Sequence, residues 1–430
     1  MAETPVVTAF LRHRGDVLLV RRSEEVDSYA GQWGAISGHV EGDSAAAHAR
    51  REIREETGIT DAEIGLVRAG EPFAVTDEER GTTWRVHPFL FDSQTREVTT
   101  NWELAVAEWV SPTAILDRDT VPDLWESYDC VRPTVETVAG DTERGSTALS
   151  VRDLEVLRDE AGLVAHEGSD VAQVGDLARE LREARPAMAV VGTRIDRVMA
   201  TADRTPAAIA AAAHAAIDRA LTADSDAASA AADRLGSRVA TLSRSGTVRQ
   251  AIETAAPDHI VVAESRPGRE GVGVAEGFAA TTAGGMTVML TTDTGFAQTL
   301  ADHDIETLLV GADAVLPDGC VLNKVGTRGA ATVAAHEGID VLVVCASDKI
   351  RAAGVGEGTD GLDVEFDREE RPASEVYDGE GAVDVSNPTF DLTPADCVEA
   401  VVTERGVLDG EAIADVAEEH RTWAEWTDFG

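Results

Sequence analysis

Residues 38–59 read GHVEGDSAAAHARREIREETGI, and the spacing of their acidic side chains sets the reading of the N-terminal third. Glu52, Glu55 and Glu56 stand at i, i+3 and i+4, so a helix carries their carboxylates on one face. Three anions on one stripe repel one another. A hard dication with oxygen ligands offsets that repulsion, and Mg²⁺ is usually held by a few carboxylates together with waters and substrate phosphates. Gly58 follows as a residue able to end the helix in the left-handed conformation. Asp and Glu number 79 against 37 Lys and Arg, so acidic clusters arise here by composition and a solvated acidic face is the competing reading. The weight comes from the surrounding positions Gly38, Arg51, Ile53 and Ile59, which accompany the three glutamates in one ordered pattern.

Around this stretch, residues 5–125 read as a compact α+β domain. VVTAFLRH and DVLLVRR are β-rich runs split by a Gly-Asp turn and predict a hairpin. TWRVHPFLFD from Thr83 and VAEWV ending at Val110 predict two more strands, and in SPTAILD Ser111 reads as a helix cap with Pro112 in the first helical position. The run from Gly38 to Ile59 resembles the Nudix box, G-x5-E-x7-R-E-U-x-E-E-x-G-U with U aliphatic. Here Asp43 replaces the first box glutamate and the loop before it is one residue shorter. The segment from Tyr29 through Trp33 to Gly38 resembles what precedes the box in that family. The resemblance implies a Nudix α/β/α sandwich. It further implies that Glu52, Glu55 and Glu56 hold Mg²⁺ or Mn²⁺, that Arg51 orients Glu52, and that Gly38 lets the loop approach the helix. The general base is left open between a box glutamate and a residue of a later loop.

Composition bounds the remainder. A chain of 430 residues exceeds one core and predicts two or three domains. The net charge of −42 comes with only two lysines, Lys324 and Lys349. Such an acidic, lysine-poor chain suits a salt-rich cytoplasm, where screening relieves self-repulsion. It disfavours a nucleic-acid partner. The N-terminus lacks a secretory pattern and there is no run of 18 apolar residues, so a soluble, cytoplasmic, non-membrane protein is expected. Four cysteines without a C-x-x-C indicate neither zinc ribbon nor disulfide framework. Cys320 and Cys345 read as small buried fillers.

Residues 126–236 turn helical. GDTERGSTALSVRDLEVLRDEA has helical spacing, and AAIAAAAHAAIDRAL is an alanine helix suited to close packing. From 237 to 430, VATL, HIVVAES, MTVMLTT, TLLVGAD and IDVLVVCAS are buried-strand-like runs, each expected to lead through a turn into a helix. That pattern predicts an α/β fold with a Rossmann-like, doubly wound parallel sheet and a ligand beyond the carboxyl ends of its strands. The expected organisation is thus a domain at 1–125, a helical subdomain at 126–236 and the sheet domain at 237–430.

The strand ends carry polar residues suited to a phosphorylated ligand. SRSGT supplies Ser243, Arg244, Ser245, Gly246 and Thr247, and ESRPGREG supplies Arg266, a fork suited to phosphate. TTDTG supplies Asp293, VGADAVLPDGCVLNKVGT supplies Asp313, Asn323 and Lys324, and CASDK supplies Lys349. Both lysines of the chain fall in this set. The plainer readings are that Asp293 and Asp313 cap the segments that follow them, that Lys324 is a surface residue, and that Phe390 and Pro394 serve packing and turning. With NPTFDLTP from Asn387 and VTERG from Val402, the region from about 128 to 410 resembles the family of the translation initiation factor 2B alpha, beta and delta subunits. That family also holds two sugar-phosphate isomerases, acting on methylthioribose 1-phosphate and ribose 1,5-bisphosphate. In those isomerases a cysteine and an aspartate act; the aspartate matches Asp313, whereas Ser243 stands at the cysteine position. A hydroxyl lacks the acidity and nucleophilicity of a thiol, so binding is favoured over isomerisation.

The expected function is therefore a metal-dependent hydrolase cleaving a nucleoside diphosphate linked to another moiety, of the ADP-ribose type. It is joined to a half that binds a nucleotide or sugar phosphate, and the resemblance implies a homodimer. The alternatives are a regulatory initiation-factor-2B-like protein with an accessory Nudix fold, and a ribose 1,5-bisphosphate isomerase-like enzyme.

Overall fold

The computed structural model describes residues 3–40, 42, 44–78, 80–141, 144–184, 188–281, 285–354 and 369–427. Asp43 and part of GDTERG lie outside them. The chain divides into two compact units. One comprises 1–137, 155–174 and 204–218, the other 138–154, 175–203 and 219–430.

In the first unit an eight-stranded mixed sheet forms the middle layer. Glu3–His13 and Asp16–Arg22 make the expected hairpin, closed at Arg14–Gly15 with positive φ at both residues. Thr82–Ser93 pairs parallel with Glu3–His13 along its length, and Leu104–Val110 pairs antiparallel with Asp16–Arg22. Two further strands, Ile64–Ala69 and Phe73–Asp77, were not expected; both lie against Thr82–Ser93. Their short runs alternate without a strong apolar face, which hides them in a sequence. Strand alternation sends Val7, Ala9 and Leu11 to one face, where Ala49 and Ile53 of the helix Ala45–Thr57 pack. Phe10, Val17 and Leu19 go to the other, against Ile115, Leu124 and Tyr128. The result is an α/β/α sandwich. One expectation is corrected here: Pro112–Asp117 is a 3₁₀ turn, and Ser111 caps nothing with its side chain, its Oγ lying 3.0 Å from Thr113 Oγ1.

Residues 155–160 enter this unit through buried ion pairs. Arg12 reaches Asp92 at 2.7 Å and Glu155 at 3.0 Å, Arg158 pairs with Asp159 at 2.8 Å, and Tyr128 Oη donates to Asp159 at 3.1 Å. Burial of these charges is tolerated because each meets an opposite one.

The second unit is built on a seven-stranded sheet in which Thr287–Thr291, His259–Ala263, Arg238–Thr241, Thr307–Val310, Asp340–Val344 and Ala400–Thr403 run parallel in that spatial order. A final strand, Gly406–Leu408, is antiparallel. Helices Gly246–Ala255, Glu270–Thr281, Asp293–Asp302 and Thr327–Glu337 alternate with the strands. Two of the expected strand–turn–helix units differ. Thr307–Val310 leads into an antiparallel excursion, Ala314–Val315 with Val321–Lys324 and later Phe390–Thr393, before its helix. Asp340–Val344 leads only into the short 3₁₀ turn Ser347–Lys349. The alanine-rich segment is the helix Pro206–Ala232, whose Ala227, Ala228 and Ala231 are fully buried, the close packing that small side chains permit. Cys345 is a buried filler as expected, but Cys320 is only half-buried, its turn facing outward beside Asp318. Among the described residues no helix is long and apolar enough to cross a membrane.

Candidate functional site

In the first unit the acidic face forms as the spacing requires. Ser44 caps the helix by accepting from the Ala47 N–H, and Gly58 closes it at φ +74°. The three glutamates are not equivalent. Glu55 is exposed, Glu52 is half-buried, and Glu56 is 2% exposed. Burial pushes the Glu56 carboxyl up to about 8, the charges of Glu52 and Glu103 add to this, and Arg22 and the Ser37 backbone oppose it. Burial likewise raises Glu52, against the pull of His48.

The base seen beside Glu52 is His48, one turn earlier, with Nε2 3.1 Å from the carboxylate. His48 is absent from the expected set, although its i, i+4 spacing to Glu52 signals it. Glu103 was missed as well. It sits 47 residues after Glu56 in a loop of no marked pattern, and only folding brings its charge to the helix. Gly38 is where a side chain would not fit: a Cβ there would run into the Glu52 carboxylate.

The donor set suits a hard dication. It is oxygen-rich, and its buried carboxyl is held up by burial and by the charges of Glu52 and Glu103. Among the described residues no three His, Cys, Asp or Glu side chains gather closely enough to form a complete cage. The three glutamates of the helix are thus not gathered into one ready-made metal site.

In the second unit a cleft of about 670 Å³ opens at the carboxyl ends of the strands. Ser243, Arg244, Ser245, Gly246, Asp313, Asn323, Lys324 and Lys349 all line it. Ser245 caps the helix Gly246–Ala255 through the Val248 N–H, so this helix starts at the cleft wall. Ser243 is held at φ +64° with its N–H donating to Ser265 Oγ at 2.6 Å, a costly conformation for a residue with a Cβ. Among the described residues Asp313 caps nothing that follows it. It accepts from Ser146 Oγ at 2.8 Å, a residue 167 positions earlier that no motif marked. Lys324 is not a surface lysine: its Nζ lies 2.9 Å from Glu270. Lys349 is buried and donates to the Ala312 carbonyl at 2.6 Å.

Three predicted residues stand apart from the cleft lining. Thr247 is buried with its hydroxyl 3.5 Å from Asp224. Asp293 accepts the Ser265 and Arg266 N–H groups at 2.7 and 2.6 Å, so both its oxygens fasten the strand-end loop. The Arg266 side chain is largely exposed, 3.8 Å from Glu264. The lining adds Arg144, Glu270, Arg371 and Glu375; Arg144 and Glu270 lay within quoted runs, but neither was given a site role.

Beneath the cleft, Arg194 is 2% exposed and meets Asp348 at 3.0 Å, Ser150 at 2.8 Å and Asp224 at 3.4 Å, while Arg197 also pairs with Asp348. Burial alone would raise the Asp348 carboxyl; the two arginines outweigh it and hold it below the ordinary value. Cys345, under the same floor, is pushed up to about 12 by burial despite Lys349. At that value it offers no thiolate in place of the one Ser243 lacks.

Comparison with known proteins agrees with this architecture. A ribose 1,5-bisphosphate isomerase of Haloferax volcanii is 34% identical over 189 residues, 41% of this chain and 55% of its own. A methylthioribose-1-phosphate isomerase of Azotobacter vinelandii is 34% identical over 178 residues, 40% and 48%. The chain thus spans about half the length of the curated relatives it matches. Two solved structures share the fold. Translation initiation factor eIF-2B of Pyrococcus horikoshii OT3 has TM-score 0.53 and 23% identity over 64% of this chain and 94% of its own. The 5-methylthioribose 1-phosphate isomerase of the same organism has 0.51 and 19% over 74% and 89%. A family model for the NUDIX domain matches residues 2–129, and one for the initiation factor 2 subunit family matches residues 142–410. With more than half of its length in the latter match, the chain belongs to the initiation factor 2 subunit family and carries a NUDIX domain ahead of that region.

Proposed function

We propose that the N-terminal domain hydrolyses the pyrophosphate of a nucleoside diphosphate linked to a second moiety, of the ADP-ribose type, with Mg²⁺ or Mn²⁺. The C-terminal cleft, in this reading, binds a nucleotide or sugar phosphate. The observation that carries the hydrolase reading is the buried Glu56 carboxyl crowded by Glu52 and Glu103. A structural helix face gains nothing from burying a carboxyl beside two others, whereas a cation site needs them. Glu52, Glu55 and Glu56 would hold the ion, which when bound polarises phosphoryl oxygens and generates a water nucleophile. His48 holds the Glu52 carboxylate in place, and the absent side chain at Gly38 leaves that carboxylate its position. Arg22, donating to the Ser28 carbonyl at 2.9 Å and to Ser37 Oγ at 3.3 Å, fixes the loop beside Glu56.

The test is product analysis on the full-length protein in molar KCl with Mg²⁺ or Mn²⁺, offering ADP-ribose, NADH, dinucleoside polyphosphates and oxidised deoxynucleotides. Cleavage that Glu55→Gln lowers by about 10²–10⁴-fold supports the reading, since a group acting at the reacting centre contributes on that scale. Turnover of none of them by the native chain overturns it.

A second reading, isomerisation in the cleft, is favoured by Asp313 lining the pocket beside the polar set and by the isomerase relatives. Ser243 opposes it. Conversion of ribose 1,5-bisphosphate by the native chain would establish it; conversion only after Ser243→Cys would establish the cleft as a binding site that lost its chemistry. A homodimer and a cytoplasmic, salt-rich setting complete the proposal, supported by resemblance and by the charge of −42.

A further inference from the structure

Trp102 is 63% exposed, the most exposed large apolar side chain among the described residues. Water is a poor environment for an indole, and a lone exposed one on a frayed loop would carry no meaning. This loop is fastened on both sides. The Thr99 N–H donates to the Thr57 carbonyl at 2.8 Å, tying the loop to the last turn of the acidic helix. The Ser23 N–H donates to the Glu103 carbonyl at 2.7 Å, and the Glu103 N–H to Asn101 Oδ1 at 2.9 Å. The backbone around the indole is thus held at the rim of the acidic site, and the next residue, Glu103, is the one whose charge acts on Glu52 and Glu56.

A second aromatic group in the same unit is closed on itself. Trp84 Nε1 donates to Tyr29 Oη at 3.1 Å, Tyr29 donates to Asp77 at 2.8 Å, Arg80 covers the Tyr29 ring at 4.8 Å, and His39 lies 5.7 Å from Trp84. Trp102 has no such ring or hydrogen-bond partner among the described residues.

We propose that Trp102 is the stacking platform for the substrate's nucleobase, which makes the nucleoside half, and not the group beyond the pyrophosphate, the recognised part. The inference rests on the hydrolase reading for its substrate class. A flat π face suits any base, because every base has one, and a platform held in place before binding loses little freedom when the ligand arrives. Selectivity then falls on the presence of a base rather than its identity.

The test uses the full-length protein in molar KCl and three chains: native, Trp102→Ala and Trp102→Phe. ADP binding is followed by tryptophan fluorescence and calorimetry, and hydrolysis by KM and kcat for ADP-ribose and for the base-less 5-phosphoribosyl 1-pyrophosphate. Trp102→Ala is expected to weaken ADP about tenfold, or about 1.4 kcal/mol. It should raise KM for ADP-ribose equally with kcat held, leave the base-less compound unaffected, and be rescued by Trp102→Phe. Unchanged ADP affinity, equal losses on both substrates, or a change of oligomeric state in place of affinity would each overturn the inference. If ADP binds in a Trp102-dependent way while nothing is hydrolysed, the platform stands and the hydrolase reading falls.

Discussion

The acidic helix and the cleft floor treat buried charge in opposite ways. In the helix, Glu56 is buried among charges of its own sign, with one histidine on its neighbour Glu52 and Arg22 in partial opposition. In the floor, Arg194 has three partners and Asp348 two arginines, so the charges are compensated within the protein. The difference teaches what each region is waiting for. A partly compensated carboxyl cluster is, on the proposed reading, completed by a cation from solution. A compensated network is finished architecture, and what it supports is the geometry of the strand ends above it. Lys324 and Lys349 follow the second pattern, one on Glu270 and one on a carbonyl.

The strongest way to break this comparison is to unbalance the floor. Arg194→Met strips Asp348 and Asp224 of a buried partner and is expected to cost ~3–5 kcal/mol, read from urea unfolding in molar KCl. A loss below 1 kcal/mol, the range of exposed pairs, would show that water reaches the network and that the floor is not sealed.

A smaller and more selective effect is expected at Gly38→Ala. The new methyl would meet the movable end of the Glu52 side chain, not backbone, so stability should hold. Displacing that carboxylate should instead lower hydrolysis about 10²-fold, since small misplacements at a reacting centre have effects of that size. A fall in melting temperature with activity intact would reverse the assignment and make Gly38 a packing residue.

The least effect is expected from pH, and its sign separates the two regions. Glu56 has a folded value of about 8 against an ordinary 4.5, so the folded state binds its proton more tightly than the unfolded one. That contribution to stability is complete below about 4.5 and is lost as pH rises through about 8. The metal-free protein should therefore melt several degrees lower at pH 8.5 than at pH 6, and Glu56→Gln should flatten the dependence. Mn²⁺ should raise the melting temperature more at the higher pH, where the carboxylate is ionised. Asp348 has the opposite sign, its contribution being lost only on acidification below the ordinary carboxylate range. A melting temperature unchanged by metal at pH 8.5 would remove the cation from the account.

Much of this was legible from local patterns. The i, i+3, i+4 glutamates, the closing Gly58 and the alternating apolar runs act within a turn or a strand, so the residues that specify them are neighbours in sequence. The alanine helix and five strands of the parallel sheet are of this kind. The strands Ile64–Ala69 and Phe73–Asp77 were not, because their pairing is set by Thr82–Ser93 and not by their own weak alternation. Ser111 misled because Ser-Pro opens a 3₁₀ turn as readily as a helix.

The sequence by itself determined the two-part character of the chain, the helix that carries the acidic stripe, and the strand-end loops that hold part of the cleft lining. Tertiary structure alone decided that Glu56 and not Glu55 is the buried carboxyl, that Glu103 adds its charge to the stripe, and that Ser146 meets Asp313. It also drew Asp293 away into fastening a loop. The physical reason is range. Helical and strand periodicity are set by bonds a few residues long, whereas burial and charge compensation depend on which distant segments the packed core brings together.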